Sequence, residues 1–115
     1  MENKDNLVII QKFEDFLQYI YPKVQKIDRT HGYMKQKFIN LLFEEVECLY
    51  KAVKTNQISK LYEADGNLAA IRFYLRFFSN KEQKLLSLHQ TEHSGILIAE
   101  VGKILNSMIK KKANG

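Results

Sequence analysis

His89 and His93 stand four residues apart, the helical spacing at which two imidazoles can share a zinc ion. A zincin also needs a Glu directly after the first histidine, and neither that Glu nor a third ligand at a dependable spacing is present. Two exposed histidines at a helix start are the reading that remains. Glu44, Glu45 and Glu47 could serve magnesium or a di-iron pair, but the Glu-x-x-His pairs of di-iron bundles do not occur in the chain. Glu47 and Lys51 read instead as an i, i+4 surface pair. Cys48 lies beside an apolar stripe and reads as a small packed side chain. No Gly-rich loop is present to cradle a phosphate, and no Ser/His/Asp set can be drawn from the spacing. The expectation is therefore no catalytic residue, no metal, no cofactor and no enzyme. A metal-dependent nuclease using His89 and His93 is the contrary reading, which a chelator-sensitive cleavage assay would expose.

Charge is the stronger signal. The 115 residues carry 18 Lys and Arg against 13 Asp and Glu, a net charge of +5. Residues 23 to 37 hold Lys23, Lys26, Arg29, Lys35 and Lys37 against Asp28, a local balance of +4. Residues 72 to 84 hold Arg72, Arg76, Lys81 and Lys84 against Glu82, a balance of +3. The rest of the chain is net negative at −2, so positive charge is concentrated as well as in excess. If the fold brings the two segments to one end, a polyanion is the natural partner; the alternative is a solvated end whose lysines bind nothing.

What positions these side chains is set by the scarcity of helix breakers, with one Pro and five Gly in the whole chain. Leu7, Ile10, Phe13, Leu17, Ile20, Val24 and Ile27 recur at steps of three and four and define a first helix, with a bend expected at Pro22. Asp28, Thr30 and Gly32 break the pattern before a second stripe through Met34, Phe38, Leu42, Val46, Leu49 and Val53. After the cap-forming residues 55 to 59, Leu61, Leu68, Ile71, Leu75 and Phe78 define a third helix ending near Asn80. Ser87 and Gln90 have capping-box spacing and open a fourth, through Leu97, Val101, Ile104 and Met108, closed by Lys110 to Lys112. Four such helices with short connections predict a single-domain, all-α, antiparallel up-down-up-down four-helix bundle over residues 1–115, with a short flexible N-terminus and a Lys-rich C-terminal tail. The lone cysteine, the mixed-charge start and the short apolar runs lead to the expectation of a cytoplasmic protein with no membrane segment.

The third helix is apolar on more than one side. At 100° per residue Arg72 and Arg76 fall about 40° apart, while Ile71, Phe73, Leu75, Phe77 and Phe78 spread over most of the remaining circle. Either Phe73 and Phe77 meet another subunit, or the core is thick and the arginines snorkel. On the fourth helix Gly95, Ala99 and Gly102 form a row of small residues, which marks either close approach of another helix or drift at a surface. These five residues are the candidate oligomer interface.

Tyr19-Ile20-Tyr21-Pro22, Arg29-Thr30-His31-Gly32, residues Asn56 to Asp65, Arg72-Phe73-Tyr74-Leu75-Arg76-Phe77 and residues Ile96 to Leu105 together resemble the accessory variability determinant (Avd) proteins of diversity-generating retroelements. The resemblance runs in order from about residue 13 to 109. It implies a non-catalytic accessory subunit, a homopentamer of four-helix bundles, that associates with the retroelement's reverse transcriptase and is needed to make mutagenised cDNA from the template-repeat RNA. It also implies that Arg72 and Arg76 correspond to the family's basic residues on the third helix. The alternative from another class is a helical protein–protein adaptor that makes no nucleic-acid contact.

Overall fold

The computed structural model describes residues 4–114. Four α-helices make up nearly all of it: α1, Lys4–Gln25; α2, Gly32–Thr55; α3, Ile58–Ser79; and α4, Leu88–Asn114. A single 3₁₀ turn, Arg29–His31, joins α1 to α2. Among the described residues there is no strand. Of the expected flexible N-terminus, residues 1–3 lie outside the described residues, and α1 already begins at Lys4. At the other end α4 continues to Asn114, so Lys110, Lys111 and Lys112 are part of the helix.

Each helix ends where local chemistry stops it. The Asp28 carboxylate accepts from Thr30 N at 2.8 Å and nucleates the 3₁₀ turn. Asn56 closes α2 in the left-handed region at φ 58°, donating its N–H to Ala52 O at 3.1 Å. Ser87 and Gln90 form the expected reciprocal box: Ser87 N donates to Gln90 Oε1 and Gln90 N to Ser87 Oγ, both at 3.0 Å. Helix α1 runs through Pro22 without ending.

Contacts link the start of one helix to the end of its neighbour. Phe38 of α2 meets Phe78 of α3, and the Cys48 thiol donates to Lys60 O. Tyr19 of α1 meets His93 of α4, and Lys12 pairs with Glu100 at 2.7 Å, which raises the lysine pKa chiefly through that hydrogen bond. Tyr21 of α1 meets Phe43 of α2. The α1/α4 and α2/α3 seams are the most extensive, and the thinnest helix seam, α1/α2, holds an apolar cleft lined by Ile10, Phe13, Leu17, Val46, Leu49 and Tyr50. The result is a rod 46 × 23 × 20 Å.

All five stripe residues expected on α3 are buried, as are Phe13, Ile20, Val24 and Ile27 of the α1 stripe and Val101 of the α4 stripe, but the other expected residues on α1 and α4 give way to their neighbours. Leu7 is 62% exposed, and Ile9 and Phe16 are fully buried in its stead. On α4, Ile98 and Leu105 lie in the core, while Leu97, Ile104 and Met108 flank it half-buried. Glu45, one of the three acids weighed as a metal cluster, is fully buried, and among the described residues Glu47 and Lys51, expected as a surface pair, form no ion pair. No described helix is long and apolar enough to cross a membrane.

Candidate polyanion-binding surface

The end of α1, the 3₁₀ turn, the start of α2 and the α3/α4 connection meet at one end of the rod, where Tyr19 packs on His93 and Phe38 on Phe78. The cations there are not equivalent. Lys26, Arg29, Lys81 and Lys84 are exposed, and so is Arg76 in the last turn of α3. Among the described residues none of the five has an ion pair. The connection that carries Lys81 and Lys84 is shaped by Asn80, whose Oδ1 accepts from Glu82 N and Gln83 N at 3.0 and 2.8 Å. Lys84 itself has φ 50°.

Three lysines of the predicted set have work inside the chain. Lys35 Nζ donates to Gln25 O at 2.6 Å and Ile27 O at 3.0 Å, satisfying carbonyls that the end of α1 leaves open. Lys23 Nζ lies 4.0 Å from the Tyr19 ring centroid, and Lys37 Nζ lies 5.4 Å from that of Tyr33. The Asp28 carboxylate at this end is held below its ordinary pKa, first by the Thr30 backbone N–H, so it stays ionised among the cations.

Arg72 is not at the pole. It lies seven residues before the end of α3, about 10 Å along the axis at the helical rise. There it is half-buried in the α3/α4 seam, where a methyl group at Gly102 would collide with its Nη2 and lie 3.5 Å from Cζ. Among the described residues it has neither an ion pair nor a hydrogen-bond partner. Arg72 and Arg76 thus extend positive charge from the pole down one seam.

The five candidate interface residues divide in the same way. Phe73 is 50% exposed and stacks on Phe77 with centroids 6.0 Å apart and planes at 20°. Gly95 has open space where a Cβ would sit, and Ala99 is exposed. Gly102 is instead buried within the chain beneath Arg72. Sequence reasoning missed Tyr62, which is 53% exposed, and the exposed Gly66 and Ala69. The spacing 62, 66, 69, 73 puts these residues with Phe73 on one outward stripe of α3, a signal present in the periodicity.

His89 and His93 are exposed, with ring centroids 6.2 Å apart. Among the described residues no three His, Cys, Asp or Glu side chains are placed to hold a metal. Burial pushes the Cys48 thiol up to about 11, far from the thiolate that nucleophilic attack needs. Glu45 is fully buried and, among the described residues, neither carboxylate oxygen has a hydrogen-bond partner. Desolvation first, then the Asp65 and Glu44 charges, push it up to about 8, against a smaller opposite pull from the Asn67 amide nearby.

The sequence model of the bAvd-like family matches residues 7–112. The chain belongs to the bAvd-like family. The match spans α2 and α3 entirely and all but the first three residues of α1 and the last two of α4, and it includes Arg72, Arg76 and every cation of the pole. It supports an accessory protein of the retroelement kind, the class that the Avd resemblance implied. No curated protein matches the chain.

Proposed function

We propose that this protein is the non-catalytic accessory subunit of a diversity-generating retroelement, associating with its reverse transcriptase and holding template-repeat RNA or cDNA during mutagenic retrohoming. The observation that carries the reading is the set of unpaired cations, Lys26, Arg29, Arg76, Lys81 and Lys84 at one end and Arg72 in the adjoining seam, in a chain of the bAvd-like family. Phosphates meeting this surface release their counterions, so binding is electrostatic and selects little sequence. A homopentamer, built partly on the outward stripe of α3 around Phe73 and Phe77, multiplies the pole about the symmetry axis. Lys23 and Lys37 add to the pole above their aromatic rings, whereas Lys35 serves chiefly to close α1.

Arg72→Ala with Arg76→Ala tests the reading. The double variant should lose association with the reverse transcriptase or with RNA while keeping the solution mass of the parent; unchanged association overturns it. The half-exposed Phe73 and Tyr62 favour a second reading, a helical adaptor that binds a protein and no nucleic acid. Filter binding against labelled RNA separates the two, since the adaptor retains none.

A further inference from the structure

Gly102 is the described helix glycine at which an added Cβ would meet a neighbouring side chain. No described glycine has positive φ, so backbone conformation does not demand glycine in α4. A mid-helix glycine costs about 1 kcal/mol relative to alanine, and at Gly32, Gly66 and Gly95 an added Cβ would meet nothing within 4 Å. At Gly102 it would collide with Arg72 Nη2 and lie 3.7 Å from Leu68 Cδ2. The hydrogen at 102 therefore leaves a notch in α4 that the Arg72 guanidinium fills from α3.

Arg72 as a residue is half-buried and, among the described residues, unpaired. Snorkelling alone accounts for the stem, because the aliphatic part of an arginine covers apolar neighbours while its head seeks water. It does not account for seating the head itself against a helix backbone with no acid beside it. An arginine whose head is seated against a neighbouring helix has less rotamer freedom to give up on binding than a surface lysine, and its planar fork offers paired donors to phosphate.

We infer that Gly102 is a positioning residue: its missing side chain seats Arg72 in the α3/α4 seam as a preset contact for a nucleic-acid phosphate. The inference rests on the proposed function, and it moves Gly102 from the candidate oligomer interface to the binding surface.

The test is a double-mutant cycle read by RNA filter binding at fixed salt, with thermal melting alongside and Gly66→Ala as the melting reference. Gly102→Ala should lose affinity about tenfold, the scale of one charge-assisted contact, while melting no lower than the parent, since only the far end of a flexible side chain has to move. Added to Arg72→Ala it should cost nothing further, because Gly102 acts only through Arg72. Arg72→Lys keeps the charge without the planar fork, does not disturb α4, and should also weaken binding. Parental affinity in Gly102→Ala or Arg72→Lys overturns the inference, as does a further loss when Gly102→Ala is added to Arg72→Ala. If Arg72→Ala binds like the parent, the place of Arg72 in the proposed function falls as well; if Arg72→Ala is weak and Gly102→Ala is normal, only the inference falls.

Discussion

Replacing Glu45 with Gln should flatten the pH dependence of folding stability between about 5 and 8. The Glu45 carboxyl is fully buried and has no hydrogen-bond partner among the described residues, and burial pushes its pKa up to about 8 from an ordinary 4.5. The folded state therefore holds a proton that the unfolded chain releases first as pH rises. Below about 4.5 both states are protonated and the stability associated with this group is complete; it falls through the interval and is lost once pH passes about 8. At about 1.4 kcal/mol per pH unit, the whole interval amounts to about 4–5 kcal/mol, a large part of what a domain of this size has in reserve. Gln keeps the shape without the charge, so its own burial penalty does not change with pH. The assay is urea denaturation followed by circular dichroism at pH 5, 6, 7 and 8, at one protein concentration. The parent should lose about 1 kcal/mol or more per pH unit relative to Glu45→Gln over that span. Equal slopes for parent and variant would refute the buried, protonated carboxyl.

Ser87→Ala removes one half of the capping box at the start of α4 and should lower stability by about 1 kcal/mol in the same denaturation assay. Lys35→Met should also destabilise, by about 1 kcal/mol, through the open carbonyls of Gln25 and Ile27. It should weaken RNA binding less than Lys26→Met, whose ammonium is exposed; filter binding of the two variants compares them directly. Sedimentation equilibrium should find five copies of the 13.5 kDa chain, and Phe73→Asp should shift that mass toward the monomer.

How much of this was legible in sequence depended on whether neighbouring residues competed for the same role. The breaks at Asp28 to Gly32 and at residues 55–59, and the Ser87–Gln90 box, located the helices well because few other breakers exist in the chain. The α3 stripe was legible because Asp65, Arg72 and Arg76 all fall along one flank of it and mark its edge. On α1 and α4 the pairs Ile9–Ile10, Phe16–Leu17, Leu97–Ile98 and Ile104–Leu105 put an apolar residue on both sides of each choice. Periodicity cannot choose between such neighbours; the direction of the packed helices does. Glu45 was hidden by its type, although its spacing from Phe38, Leu42, Leu49 and Ala52 is that of the core.

The candidate surface was legible in charge and not in geometry. Counting residues brought two basic segments to one end, but it treated every cation as free, and Lys35 had been taken up by the end of α1. The angle count placed Arg72 beside Arg76 without giving its height on the rod or its seat against Gly102. Those depend on which residue of α4 lies opposite, and a single helix contains no such information.

Binding to a labelled template RNA across a salt series is the most direct measurement of the central claim. Retention should be tight at low salt, log affinity should fall linearly with log salt, and the slope should be shallower once Arg72 and Arg76 are both alanine. A protein that ignores the RNA in dilute buffer, or a double variant whose slope matches the parent, would contradict it.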